Sequence, residues 1–311
     1  MDVFSVFVNS SYQIRAGWRF VAYWALLIGL FVGSSMLTAV IAFWIYPAML
    51  TAPQGDPAFL IANSIVLFLP SVGALLFMVR FADQTSVAAF GAVIHDHCLK
   101  DFGIGIAIAS GMLGLTLAGS FLLGEVQIAW SGSLHDIPGI LLTLAALAVS
   151  AVSEELVFRG YPLQILMKGL GPWGSMILIS SLFGLIHARN PGATALSVLG
   201  TIVAGMALAV AYSKTRSIWL PYGIHLGWNV GLSIVLGYPM SGIQTLSILT
   251  THVSGSQTIL GGGYGPEAGL LGMVIFAVTA AVVYCMRMLK VSPQIRAAIA
   301  AHAENLYTGD L

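Results

Sequence analysis

Eight runs of mostly apolar residues divide this chain, all but the long fourth one near the roughly 20 residues that a helix needs to cross a bilayer core of about 30 Å. They are Phe20–Tyr46, Phe59–Phe81, Phe102–Leu123, Ile137–Lys168, Trp173–Ala188, Ala193–Ser213, Ile218–Leu236 and Pro266–Met286. Lipid offers no partner to backbone N–H and C=O groups, so such runs resolve as helices. Turn-rich connectors separate them, among them Thr51–Pro57 and Gly261–Pro266. The expected fold is an all-α polytopic transmembrane helical bundle of about eight spans. Composition agrees: 58% of the 311 residues are hydrophobic and 8% are charged, where a soluble domain carries about 25%.

The basic residues orient the bundle. On the eight-span reading, 11 of the 12 Lys and Arg residues fall in or beside connectors on one side, and Arg189 alone falls on the other. The positive-inside rule then places both termini in the cytoplasm. Net charge is zero, and no basic cluster offers nucleic acid a surface, so nucleic acid is excluded as a partner. Cys98 and Cys285 match no metal or redox spacing and read as free thiols. The N-terminal apolar run is long enough to span and is read as a retained helix rather than a cleaved signal. Trp44, Trp130, Trp173 and Trp219 lie near span ends as interface anchors.

Three parts are expected. Residues 1–136 hold the first three spans, 137–240 a catalytic core of spans four to seven, and 241–311 an external loop, the last span and a cytoplasmic tail. Residues 1–20 read either as an interfacial helix or as a short anchored tail. Gly237–Gly265 is long for a loop and is a candidate cover for the outer face. Residues 291–311 read as a polar tail. His95, His97, His135, His252, His302, Glu125, Asp136 and Glu267 lie in connectors, the tail or span ends and are expected to be solvated.

Chemistry is carried by polar residues inside the apolar runs. An ionisable group at the centre of a span costs about 2.5–3.5 kcal/mol on insertion scales, which makes it a functional candidate. The fourth span holds Ser153-Glu154-Glu155-Leu156-Val157-Phe158-Arg159-Gly160, the fifth Phe183-Gly184-Leu185-Ile186-His187, and the seventh His225-Leu226-Gly227-Trp228-Asn229. Glu154 lies 15 residues before Gly169, and His187 lies 15 after Pro172. With a turn at Gly169–Pro172, both stand about 22 Å along their helices, at one level. Glu155 and Arg159 are i,i+4, as are His225 and Asn229. Glu154 points about 100° away from Glu155, so one glutamate can pair with Arg159 while the other faces a cavity. A carboxylate shielded from water is a stronger base and can activate a water beside a histidine. A His and an Asn amide on a facing helix can stabilise an oxyanion. These parts suffice for peptide hydrolysis in the membrane. The competing readings are a Glu155–Arg159 structural pair, a packing role for His187, interhelical glue from His225 and Asn229, and packing for Phe183. Zn2+ held by Glu154, His187 and His225 is a further alternative. The chain lacks a His-Glu-x-x-His helix, and nothing in the spacing requires a metal.

Glu154-Glu155-x-x-x-Arg159, Phe183-x-x-x-His187 and His225-x-x-x-Asn229, on successive apolar helices, resemble the three motifs of the CAAX-protease and bacteriocin-processing (CPBP, Abi) family. That family includes CAAX prenyl endopeptidases of the Ras-converting type and many bacterial relatives. The resemblance covers about Ile137 to Tyr238. It implies an intramembrane endopeptidase fold, with Glu154 and His187 activating water, and His225 and Asn229 stabilising the oxyanion. Of the family's metalloprotease and glutamate descriptions, the latter is followed, with no cofactor. The expected partners are a peptide or membrane-protein substrate and membrane lipid, in a bacterial inner (plasma) membrane. The sequence fixes neither the oligomer nor whether the substrate is prenylated. A catalytically inactive binding or immunity scaffold and a small-solute or proton-coupled transporter stand as alternative functions.

Overall fold

The computed structural model describes residue 7 and residues 14–308, the side chains of 303–308 excepted. The expectation for residues 1–20 falls largely outside these. The helices are α1 (Ala16–Ile45), α2 (Pro57–Phe77), α3 (Cys98–Leu123), α4 (Ile137–Glu155), α5 (Tyr161–Ile186), α6 (Ala195–Thr215), α7 (Trp219–Asn229), α8 (Leu270–Cys285) and α9 (Pro293–Thr308). Among the described residues, five helical stretches are long and apolar enough to cross a membrane, and the fourth, Leu134–Arg189, has 56 residues. Gly171 breaks that stretch: its φ of 67° is left-handed, and Pro172 follows. The chain is an integral, polytopic helical membrane protein. Leu122 and Trp44, 84% and 78% exposed, are among many apolar side chains left for lipid.

Contacts between connectors sort them into two ends. At one end Asn190 Nδ2 donates to the Ser241 carbonyl (3.0 Å), and Ser131 Oγ donates to that of Ser247 (3.2 Å). Gly55 there lies against the Gln244 carbonyl. At the other end Asp83 pairs with Arg19 and accepts from Tyr161 Oη at 2.6 Å. There too, Trp219 Nε1 donates to the Val93 carbonyl at 2.7 Å. The first end also carries two strands that the sequence did not suggest, β1 (Gly124–Trp130) and β2 (Leu249–Gly255). They pair antiparallel, with Gly124 opposite Gly255 and Trp130 opposite Leu249. The segment 237–265 thus contains a strand, and its partner continues directly from α3.

α4 leads into α5 through a π-helical turn, Leu156–Gly160. Pro162 has no N–H to offer the Phe158 carbonyl, so the regular ladder cannot continue there. A second wide turn, Val230–Val235, follows α7. Such turns often adjoin functional sites, and both lie next to the residues singled out above.

Several surface expectations are corrected. The tail is largely helical: α9 packs on the turn Val87–Phe90, with Ile295 fully buried. His302 is buried, and its Nε2 lies 3.0 Å from Lys168 Nζ. His95 is buried as well, sharing a 2.8 Å hydrogen bond with Ser217 Oγ. Glu267 is buried at the other end. Each has a short-range partner from a distant part of the chain, which local polarity does not reveal. His135, His252 and Glu125 are exposed, while His97 and Asp136 are half-buried. Both cysteines are free, Cys98 being buried.

Candidate active site

The end of α4 presents Glu154 and Glu155 in different directions. Glu155 is fully buried, and its Oε1 accepts from Arg159 Nη1 (3.2 Å) and His225 Nδ1 (2.8 Å). Arg159 Nη2 donates to the Gly205 carbonyl at 3.3 Å. Its guanidinium lies 4.3 Å from the centre of the Phe183 ring, a cation–π contact. A Cβ on Gly205 would come within 3.1 Å of Phe183, so the missing side chain lets α6 approach this cluster. Phe183 in turn lies 4.7 Å from the His187 ring and 6.1 Å from that of His225. It packs on both histidine rings and on the Arg159 guanidinium.

Glu154 is half-buried. Its Oε1 accepts from Ser150 Oγ at 3.3 Å. Its buried Oε2 has no hydrogen-bond partner among the described residues and stands 3.8 Å from His225 Nε2. Two polar atoms at that separation are spaced for a bridging molecule rather than a direct bond.

His187 differs from its expected setting. It does not sit inside a helix; α5 ends at Ile186, and His187 opens a 3-10 turn through Arg189. Nδ1 donates to the Phe183 carbonyl at 2.6 Å. A carbonyl can only accept, so in the neutral ring the free lone pair is on Nε2. His225 is likewise held through Nδ1, by Glu155, and has Nε2 toward Glu154. His225 thus stands between the two glutamates, bonded to Glu155 and 3.8 Å from Glu154.

Glu154, Phe183, His187, His225 and Asn229 line one cavity of about 510 Å³. Close helix contact makes this convergence possible: a Cβ on Gly223 would meet the Phe102 carbonyl at 2.3 Å, so α3 and α7 touch backbone to backbone. The cavity wall also includes Glu267. Its Oε1 accepts from Trp228 Nε1 (3.1 Å) and its Oε2 from the Ser241 N–H (2.6 Å). Glu267 thereby ties α7 to the connector above it. The available signal was an acidic residue at the start of an apolar span, after the Gly-rich turn 261–265. No group of three or more His, Cys, Asp or Glu among the described residues is arranged to hold a metal ion.

Comparison with family models matches residues 136–231, under a third of the chain, to the family described as Rce1-like, Type II CAAX prenyl endopeptidase Rce1-like. No curated protein matches the chain. The matched segment contains Glu154, Glu155, Arg159, Phe183, His187, His225 and Asn229, and leaves out Glu267.

Proposed function

We propose, from the match of residues 136–231 to the Rce1-like family of type II CAAX prenyl endopeptidases, that this chain is an intramembrane endopeptidase. Glu154 is the base that takes a proton from water, and His187 assists across the same cavity. The observation that carries this reading is the partnerless Glu154 Oε2, 3.8 Å from His225 Nε2 in a cavity shared with His187. A carboxylate held away from bulk solvent keeps its basicity for a bound water. Attack by that water on a peptide carbonyl makes a tetrahedral oxyanion. His225 Nε2 and the Asn229 amide, one helical turn apart on a single wall, donate to it. Glu155 accepts from His225 Nδ1, so Nε2 donates when the ring carries a proton on each nitrogen. Collapse of the intermediate breaks the C–N bond, and the proton taken from water passes to the leaving amine. Glu155 and Arg159 are positioning residues; they fix the ring of His225.

No metal takes part in this reaction. The substrate is a peptide or a membrane-protein segment, and eight spans with both termini in the cytoplasm, in a bacterial inner membrane, complete the picture. The test is to incubate the protein in lipid nanodiscs with peptide libraries, with and without a prenylated cysteine, and read the products by mass spectrometry. New termini differing from the intact peptide by one water, formed equally with and without a chelator, are expected. No cleavage of any library overturns the protease reading in favour of a binding scaffold. Loss of cleavage on chelation, restored by Zn2+, overturns the metal-free assignment and points to Glu154, His187 and His225 as ligands.

A further inference from the structure

We infer that the cavity is loaded from the non-cytoplasmic face, so that the substrate is an extended polypeptide segment lying outside the cytoplasm. This rests on the endopeptidase reading for the word substrate, and on geometry alone for the direction. The cavity is built from one end of the bundle. Gln54, Asn190, Ser241 and Ile243, from three connectors of that end, line it, and Glu267 lines it at the start of the last span. Apart from the Glu267 carboxylate, the polar groups of the mouth are amides and hydroxyls, and none of the lining residues is a Lys or Arg. Such groups suit the main chain of an extended peptide, which both donates and accepts.

On the other side of Glu154 the molecule is closed. Phe158, Tyr161, Leu163, Tyr23 and Phe90 are each no more than 1% exposed. Tyr161 stacks on Tyr23 with ring centres 5.3 Å apart and leans on Phe90 at 4.9 Å. Beneath them lie the Arg19–Asp83 pair and the Tyr161–Asp83 hydrogen bond, and α9 covers Val87–Phe90. A peptide has no path through this floor without unpacking it.

Charge says which end is which. Of the 12 Lys and Arg residues, Arg159 is buried in the site and Arg189 lies at the open end; the other 10 lie at or beside the closed end. A bias of this size places the closed end in the cytoplasm, and the mouth faces the opposite compartment. The substrate class is therefore an exported peptide or the external flank of a membrane protein, which share one chemistry at the mouth.

The test uses the full chain with Cys98→Ser and Cys285→Ser, and single cysteines placed at Asn63→Cys or Ala204→Cys in the cavity wall. Lys290→Cys and Thr258→Cys mark the closed and open ends. Sealed right-side-out and inverted vesicles are treated with a membrane-impermeant maleimide. The expected pattern is labelling of Asn63→Cys or Ala204→Cys in right-side-out vesicles together with Thr258→Cys, while Lys290→Cys labels only in inverted ones. Cavity labelling confined to inverted vesicles overturns the inference. So does labelling of both cavity positions only after detergent, or a swap of the two markers. The readout needs no turnover, and repeating it with Glu154→Gln gives the same pattern if the direction is right. A failed direction and a failed protease assignment therefore register separately.

Discussion

Exchanging Glu155 for glutamine removes the one carboxylate hydrogen-bonded to Arg159 among the described residues, and that guanidinium has no exposed surface. Breaking a buried pair from one side costs about 3–5 kcal/mol, because the remaining charge is left uncompensated. Glu155→Gln is therefore expected to lower the thermal midpoint in detergent clearly and to lose activity with it. Glu154→Gln, with a partnerless carboxylate oxygen toward the cavity, should leave the midpoint nearly unchanged. Equal midpoints for the two variants would show that Glu155 has no such structural role. The different surroundings of the two glutamates were legible in the sequence, because i,i+4 spacing to Arg159 singles out Glu155. The bond from His225 to Glu155 was not legible, since it joins helices 70 residues apart. Glu267 was missed for the same reason: its partners, Trp228 and Ser241, come from other segments.

Among the elements, α9 and the connector that holds His95 depend on neutral imidazoles. His95 Nδ1 accepts from the His97 N–H at 3.1 Å, so only Nε2 carries the proton shared with Ser217. Burial pushes the His95 pKa down, and Asp96 only partly opposes this while His97 adds to it. His302 is pushed down by burial and by Lys168, with Asp83 opposing and Arg19 reinforcing. A lowered pKa means that the opened state binds the extra proton more readily. The stabilisation is present above the ordinary histidine value of about 6.5 and is lost as pH falls below it. Hydrogen exchange corrected for intrinsic rates should therefore quicken in α9 and in residues 91–97 between pH 8 and pH 5.5. Unchanged protection would contradict this. Helix placement was readable because apolar runs of this length have one solution in lipid. The strands β1 and β2 were not, because each is specified by pairing across more than 100 residues rather than by its own pattern. Nor was α9, whose polar sequence conceals the contacts of Ile295 and His302.

The molecule as a whole joins a closed cationic end, an open mouth lined mainly by amide and hydroxyl groups, and a carboxylate between them. The alternation of apolar runs and basic connectors carried most of this architecture. The cavity itself required coordinates, because it is the space left between helices that touch elsewhere. If the chain crosses the membrane eight times, a fluorescent protein fused after Leu311 folds in the cytoplasm, and an export-dependent phosphatase inserted at Thr258 is active. The opposite pair of signals would invert the topology. Whether Glu154 primes the attacking water is read from the turnover of wild type and Glu154→Gln in nanodiscs. The two are compared on one cleaved peptide at matched folded fraction. A fall of about 10²–10⁴-fold is expected, the usual contribution of a positioned general base. A folded Glu154→Gln protein that cleaves at the wild-type rate would contradict it.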